Sequence, residues 1–212
     1  MTRAISWTDR LVAIFDQGLK TVLTDPPAGR PSPADTVDDA PLSPAERAES
    51  ARLMRVNRAG EISAQALYRG QALFARTPVT ADRLERAAAE EADHLSWCTR
   101  RIEELGGRPS RLDPVWFFGS AAVGALAGIS SDATSLGFVT ETERQVEAHI
   151  EDHLARLPQR DAKSRAILEQ MAADEARHGS DASAAGAAPI REPVRSLMAV
   201  GGEILRRLAY RL

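Results

Sequence analysis

Glu91-Ala92-Asp93-His94 and Glu175-Ala176-Arg177-His178 are two copies of a Glu-x-x-His motif, and they decide the fold predicted for this chain. On an α-helix, a spacing of three residues separates two side chains by about 60° around the axis and ~4.5 Å along it. The Glu and the His of each copy can therefore converge on one metal ion. A single Glu precedes each copy at a similar interval, Glu61 before the first and Glu143 before the second.

The resulting order is Glu, Glu-x-x-His, Glu, Glu-x-x-His. Four helices that carry such residues inward are the arrangement of ferritin-like di-iron and di-manganese carboxylate proteins. The sequence therefore predicts an all-α, ferritin-like four-helix bundle. The candidate metal ligands are Glu61, Glu91, His94, Glu143, Glu175 and His178.

The neighbours of these glutamates indicate burial. Glu91, Glu143 and Glu175 have no basic residue three or four positions away, whereas Glu61 has Arg58 three before it and gains no support from this test. A buried, unpaired carboxylate is costly unless it is protonated or a cation neutralises it. Surface ion pairs on a plain helical bundle are the alternative explanation of the motifs.

Capping and stop signals place the helices. Ser43-Pro44-Ala45-Glu46 is a capping box, so a helix should begin there and end before Pro78. A second should run from about 81 to 105 with Gly106-Gly107 as its stop, and others should span about 132–157 and 161–182. Extra amphipathic helices are predicted at both ends, in 1–23 and in about 193–210, and no strand-like period is evident.

Three regions follow from these assignments. Residues 1–23 form an N-terminal amphipathic helix, residues 24–42 a linker and residues 43–212 the metal-binding domain. The linker is rich in proline and aspartate, a composition typical of a flexible tether, so we expect it to be poorly ordered.

Residues 114–131 contain no charged side chain, although they join two helices that carry ligands. Their many Gly, Ala and Ser residues do not favour a membrane span. Two interpretations stay open: a buried crossover helix, or an interfacial helix that opens toward lipid. Under the second, Trp116, Phe117 and Phe118 would be interfacial anchors.

Composition excludes several classes of protein. A formal net charge of -3 gives no reason to expect a nucleic-acid partner. Cys98 is the only cysteine, so no intrachain disulfide is possible and a reducing compartment is expected. Cys98 follows His94 by one helical turn, but a small core residue is the favoured interpretation. The charged Asp9, Arg10 and Asp16 in the N-terminal apolar stretch argue against a secretory signal peptide.

Several motifs together resemble the demethoxyubiquinone hydroxylases of ubiquinone biosynthesis. They are 57–61 (NRAGE), Tyr68, Gly70 and Gln71, 90–95 (EEADHL), the apolar stretch 116–128, Glu143, Asp174-Glu175 with His178, and the final Arg211-Leu212. The resemblance extends from about Ser43 to the C-terminus.

The resemblance implies an enzyme that binds two irons per chain through the six candidate ligands. Members of that family hydroxylate a 2-polyprenyl-3-methyl-6-methoxy-benzoquinol with dioxygen at a membrane. We therefore expect a peripheral membrane protein on the cytoplasmic face of the cell membrane. NADH or the quinol itself would be the electron donor, and other ubiquinone-biosynthesis proteins are candidate partners.

Family members often have a second Glu after the ligand Glu and adjacent histidines later; here Glu143-Arg144 and Ala148-His149 stand instead. A relay role for His149 and a role as a solvated histidine are equally compatible with this difference.

Two other classes of function stay open. One is an iron-handling or peroxide-scavenging protein of the ferritin or rubrerythrin kind; the absence of a Cys-x-x-Cys motif and the apolar stretch 114–131 argue against it. The other is a non-catalytic quinone-binding or scaffolding bundle, which predicts no stoichiometric iron.

Overall fold

A helix is present in each region where the sequence predicted one. A computed structural model of the chain describes residues 7–24, 28–38 and 40–212. The helices are α1 (Trp7–Leu23), α2 (Pro44–Ala72), α3 (Pro78–Glu104), α4 (Asp113–Ser130), α5 (Asp132–Arg156), α6 (Ala162–Ala184) and α7 (Glu192–Arg211). Residues 1–6, at the start of the predicted N-terminal helix, lie outside the described ranges, as do 25–27 and 39 in the predicted linker. No strand occurs within the described ranges, which confirms the all-α prediction.

Two predicted signals lie at the ends of helices. The Glu46 backbone N–H donates to the Ser43 hydroxyl at 3.3 Å, and the Ser43 N–H donates to the Glu46 carboxylate at 2.8 Å, so the capping box is formed. At the end of α3, Gly106 has a φ of +73° and the Gly107 N–H donates to the Ile102 carbonyl at 2.8 Å. A left-handed residue followed by such a bond terminates the helix, as the paired glycines predicted.

The prediction for Pro78 was wrong. α2 ends at Ala72, and Pro78 instead begins α3. Thr77 is the N-cap of α3, since its hydroxyl accepts from the Thr80 N–H at 3.2 Å. Proline is favoured at the first helical position, where its missing N–H would have no partner within the helix.

Four helices form the bundle as two hairpins. Short connections at 73–77 and 157–161 join α2 to α3 and α5 to α6, and the helices of each hairpin pack against each other. α4 crosses the outside of α2, α1 packs on α4 and α2, and α7 packs mainly on α2.

Two apolar clusters fill the bundle on either side of its midpoint. One includes Leu53, Met54, Trp97, Cys98, Ile102, Ile150, Leu168 and Met171. The other includes Leu67, Tyr68, Leu84, Ala88, Leu136, Val139 and Ala182. On each of the four bundle helices, the candidate ligands lie between residues of the first cluster and residues of the second. Apolar packing therefore closes the ligand positions at both ends.

α4 has one buried and one exposed face. Phe117, Ala121, Gly124 and Gly128 recur every three or four residues and are buried. Val115, Phe118, Val123, Leu126 and Ile129 lie on the remaining surface and are exposed. The crossover helix is thus packed on the bundle while it presents an uncharged apolar face outward. Within the part of the chain that the structure describes, no helix is long and apolar enough to cross a membrane.

The described part of the 24–42 segment differs from the flexible tether that its composition predicted. Residues Pro33–Thr36 form a 3₁₀ turn whose N-cap, Ser32, takes part in a capping box with Asp35. Ala34 is buried in the first apolar cluster. Composition missed this order because the segment is held by side chains of distant helices.

Candidate metal centre

The helix register brings all six candidate ligands to one place. α2 supplies Glu61, α3 supplies Glu91 and His94, α5 supplies Glu143, and α6 supplies Glu175 and His178. The six residues are buried, with exposed fractions between 0% and 7%. Glu61 is buried although Arg58 lies three residues before it, because the Arg58 side chain pairs with Asp113 instead.

The ligand atoms fall into two groups of four. Glu61, Glu91, His94 and Glu175 form one group, and Glu91, Glu143, Glu175 and His178 form the other. In each group the atoms lie within 4.8 Å of one another. Glu91 and Glu175 belong to both groups, so each can offer one oxygen to either side. This arrangement suits two neighbouring cations with two shared carboxylates.

His94 presents Nδ1 to the first group. This atom lies 3.1 Å from Glu91 Oε2 and 3.3 Å from Glu61 Oε2, and it is 3.3 Å from Glu175 Oε1. On the other side of the ring, Nε2 lies 3.0 Å from Asp174 Oδ2. Nε2 therefore faces the Asp174 carboxylate, and Nδ1 faces the glutamates.

His178 has the same relation to the second group. Its Nδ1 lies 3.4 Å from Glu175 Oε2, 3.5 Å from Glu91 Oε1 and 3.7 Å from Glu143 Oε1. Its Nε2 lies 3.1 Å from Glu90 Oε2. Each imidazole is therefore oriented by the acid that directly precedes the glutamate of the other motif.

The electrostatics of the cluster favour a bound cation. Burial raises the pKa of both Glu61 and Glu143, and neighbouring carboxylates raise these pKa values further. Burial alone would lower the pKa of His94 and His178, but hydrogen bonds to the surrounding carboxylates outweigh it and raise both. Burial and mutual repulsion thus disfavour negative charge on Glu61 and Glu143, while the same carboxylates favour positive charge on the two imidazoles, and a bound cation would relieve both.

Several buried atoms point into the cluster without a hydrogen-bond partner among the described residues. They are Glu91 Oε1, Glu143 Oε2, Glu175 Oε2 and His178 Nδ1. A buried polar atom without a partner destabilises the folded protein unless an ion or a ligand binds it. Hard carboxylate oxygens and imidazole nitrogens suit iron or manganese. The residues present therefore fit a two-metal centre.

Tyr68 fixes one of the ligands. Its hydroxyl donates to Glu143 Oε1. Burial raises the pKa of Tyr68 well above its ordinary value, and the negative charge of Glu143 raises it further. The phenol therefore stays protonated and holds the Glu143 carboxylate in place.

Three other residues belong to neither ligand group: His149 and Cys98, which the sequence singled out, and Glu141, a neighbour of Glu143 on α5. His149 Nε2 lies 2.9 Å from Asn57 Oδ1, and its ring packs edge-on against His153 at 4.6 Å between centroids. Cys98 contacts Met171 and belongs to neither ligand group, and burial raises the pKa of its thiol. Glu141 forms an ion pair with Arg144 at 2.7 Å.

Four residues at the site were missed as functional candidates. Glu90 and Asp174 had a usable signal, because an acid directly precedes the Glu of both motifs. Arg177 lies 2.8 Å from both of these carboxylates, and its position inside a motif was the only sequence signal for it. Arg30 lies in the predicted tether, and only the tertiary structure brings it to Asp93 and Asp174.

Comparison with known proteins gives consistent results along the whole chain. A family model described as "Ubiquinone biosynthesis protein COQ7" matches residues 48–208. The 3-demethoxyubiquinol 3-hydroxylase of Xanthomonas euvesicatoria pv. vesicatoria (strain 85-10) is 52% identical over 211 residues, which cover 100% of this chain and 97% of the relative. The protein of the same name from Ralstonia pickettii (strain 12J) is 48% identical over 215 residues, covering 96% of this chain and 99% of the relative.

Proposed function

Because this chain belongs to the COQ7 family of ubiquinone biosynthesis proteins, we propose that it is a 3-demethoxyubiquinol 3-hydroxylase. It would add a hydroxyl group to a 2-polyprenyl-3-methyl-6-methoxy-benzoquinol with dioxygen. The observation that carries this proposal is the pair of buried ligand groups that share Glu91 and Glu175. A full-length similarity to hydroxylases and a centre suited to two metals point to the same chemistry.

The proposed metals are two irons per chain. Glu61 and His94 would hold one, Glu143 and His178 would hold the other, and Glu91 and Glu175, which belong to both groups, would contribute to both. Four carboxylates and two neutral imidazoles balance the charge of two divalent ions. When bound, ferrous iron supplies the redox chemistry that dioxygen activation requires, which the protein side chains lack.

The chain contributes orientation and a dry environment. Asp174 and Glu90 each hold one imidazole by its Nε2, so that both Nδ1 atoms face inward. Tyr68 holds Glu143 from a second direction. Outer partners of this kind fix the orientation and raise the basicity of metal ligands. The apolar clusters on both sides of the site exclude water, which protects a reactive centre from side reactions.

A membrane surface is the proposed source of the substrate. Phe15 and Leu19 on α1 are exposed beside the exposed face of α4, where the rings of Phe15 and Phe118 lie 5.6 Å apart. A large exposed apolar surface on a soluble domain typically marks an interaction site. A polyprenyl quinol resides in a bilayer, so we propose peripheral attachment through α1 and α4 at the cytoplasmic face of the cell membrane.

The electron balance requires a donor. Hydroxylation places one oxygen atom of dioxygen on the ring and reduces the other to water, which consumes two electrons beyond those of the new C–O bond. We propose NADH or the quinol itself as the donor. Other ubiquinone-biosynthesis proteins are proposed partners that would hand the substrate on. The chain's similarity to hydroxylases over its full length disfavours an iron-handling or peroxide-scavenging function.

Deletion of the gene in its own cells tests the proposal. Mass spectrometry of the quinone pool should show accumulation of demethoxyubiquinone and loss of ubiquinone. The wild-type gene should reverse both changes, whereas His178→Ala should not, because the second ligand group loses its only imidazole. An unchanged quinone pool in the deletion strain would overturn the proposed reaction.

A further inference from the structure

Residues 28–37, here called the strap, cross from α3 to α6 behind the His94 imidazole. The strap lies outside residues 48–208, which the family model matches. Its contacts nevertheless reach an atom that orients a proposed metal ligand. The inference below rests on the proposed metal centre.

Several contacts hold the strap in place without the Arg30 side chain. The Gly29 N–H donates to Asp93 Oδ1 at 2.6 Å, and the Trp97 indole N–H donates to the Arg30 carbonyl at 3.3 Å. Farther along, Asp35 forms an ion pair with Arg100. The buried Ala34 adds an apolar anchor. The strap backbone is thus fixed on α3 independently of what the Arg30 guanidinium does.

The Arg30 guanidinium joins two helices. Its Nε donates to Asp93 Oδ2 at 2.7 Å, and its Nη1 donates to Asp174 Oδ2 at 2.9 Å. Its Nη2 lies 3.4 Å from His94 Nε2 itself. The Arg30 side chain is 36% exposed and packs over Trp97 at 4.9 Å from the ring centroid. A planar guanidinium suits such a bridge, since it offers donors in a rigid fork.

The two oxygens of Asp174 have different partners. Oδ1 accepts from Arg177 at 2.8 Å and from Gln170 at 3.2 Å, and both of these residues lie on the same helix as Asp174. Oδ2 accepts from Arg30 and also lies 3.0 Å from His94 Nε2. The oxygen that orients His94 is therefore held by the strap, while the other oxygen is held by α6.

We infer that Arg30 is a positioning residue for His94 and that the strap is a fifth structural element of the metal centre. By fixing Asp174 Oδ2 and by its own approach to Nε2, Arg30 keeps Nε2 on the outer side and Nδ1 directed at Glu61, Glu91 and Glu175. Loss of this bridge leaves Asp174 free to turn toward Arg177. The His94 ring then loses its fixed orientation, and the metal at that side of the centre binds more weakly.

Arg30→Met tests the inference, because methionine keeps an apolar stem over Trp97 and removes every donor. Arg100→Met is the matched control, since it removes the Asp35 contact of the same strap without touching Asp174. The full-length, metal-free protein is titrated with cobalt(II), and the ligand-field absorption reports coordination by imidazole and carboxylate. Loss of an outer partner typically lowers metal affinity 10–100-fold, so one of the two cobalt ions should bind Arg30→Met weaker by about that factor.

The control and a rescue variant make the result decisive. Arg100→Met should bind both ions as wild type does, although its melting temperature falls. Arg30→Lys should regain part of the affinity, because an ammonium can reach Asp174 but cannot bridge two carboxylates as a guanidinium does. Wild-type affinity in Arg30→Met, or an equal loss in Arg100→Met, would overturn the inference and leave the proposed function intact. Failure of the wild-type protein to bind cobalt or iron would overturn the proposed centre itself.

Discussion

Gly124 on α4 lies directly against the carbonyl group of Leu67 on α2, so that a Cβ at position 124 would overlap the carbonyl oxygen and lie 2.8 Å from the carbonyl carbon. The contact is reciprocal, because a Cβ on Gly70 of α2 would lie 2.8 Å from the Ala125 nitrogen of α4. The two backbones therefore touch at this crossing. It fixes α4 on the helix that carries Glu61.

Gly124→Ala should destabilise the protein. The added methyl group meets backbone rather than a movable side chain, so we expect a cost at or above the 1–3 kcal/mol that is typical of overpacking. Gly119→Ala on the same helix is the control, since its Cβ meets nothing within 4 Å and alanine favours helix by about 0.5–1 kcal/mol. Thermal unfolding of both variants measures the difference. Equal melting temperatures would contradict the close approach of α2 and α4.

The features that sequence predicted are those with local causes. The Ser43 capping box and the Gly106 stop depend on neighbouring residues alone, and the structure has both. The convergence of the six candidate ligands was predictable because a helix turns a fixed spacing into a shared direction. Pro78 was misassigned because proline is compatible with both the end and the beginning of a helix.

The features that sequence did not predict depend on contacts between distant residues. Arg30 and Asp174 are 144 residues apart in sequence, and no periodicity marks such a pair. In the sequence, Glu90 has Arg86 one helical turn before it, but Arg177 of α6 and His178 are its partners in the structure. From sequence alone, a glutamate in a surface ion pair cannot be distinguished from one that orients a proposed metal ligand, because the difference depends on how the helices pack.

Glu143 and Glu141 are two residues apart on α5 but should differ in their effect on metal binding. Glu143 belongs to the second ligand group, while Glu141 pairs with the largely exposed Arg144. Glu143→Ala should therefore bind less than two irons per chain and lose hydroxylation. Glu141→Ala should keep both, since Glu141 belongs to neither ligand group and its hydrogen-bond partners, Arg144 and Gln145, lie on its own helix. Anaerobic iron titration with analysis of bound metal checks both variants, and equal loss in the two would show that the α5 register is wrong.

His153 should make the metal-free protein less stable in mild acid. Burial lowers its pKa to about 4, and the nearby charge of Arg156 contributes to that shift. In the unfolded chain a histidine has a pKa of about 6.5, so below that pH the unfolded state binds a proton that the folded state refuses. The titration of His153 therefore costs no stability above pH ~6.5. Below that pH it lowers the free energy of unfolding by up to about 1.4 kcal/mol per pH unit, until the pH reaches the folded pKa near 4.

His153→Gln isolates this contribution from the other titrating groups. Glutamine can still meet Asn57, which lies 3.0 Å from His153 Nδ1, but it does not titrate. Denaturant unfolding between pH 7 and pH 4.5 should give a shallower loss of stability for the variant than for wild type. Burial also lowers the pKa of His149 well below its ordinary value, so part of the acid sensitivity should persist in His153→Gln. Parallel curves for the two proteins would contradict a neutral, buried His153.

Substitutions at Phe117 and Phe118 should distinguish a role in core packing from a role in membrane attachment. Phe117 is fully buried beneath α1, where a Cβ on Gly18 would lie 2.6 Å from its ring, whereas Phe118 is 36% exposed. Phe117→Asp should unfold the protein or strip its metal, because it buries a charge without a partner. Phe118→Asp should stay folded and metal-loaded. Circular dichroism and metal analysis verify these states before any membrane is added.

The folded Phe118→Asp variant then tests the proposed surface of α1 and α4 on anionic liposomes. A buried phenylalanine contributes about 1.5–3 kcal/mol, so its replacement should weaken liposome binding by about tenfold or more. Turnover of a long-chain quinol should fall, while a short-chain analogue that dissolves in water should still be hydroxylated. Leu197→Asp on α7, an equally disruptive change at a residue that is 71% exposed, should bind liposomes as wild type does. Wild-type liposome binding by Phe118→Asp, or an equal loss in Leu197→Asp, would exclude this surface as the membrane contact and leave the metal centre unaffected, because neither side chain touches a proposed ligand.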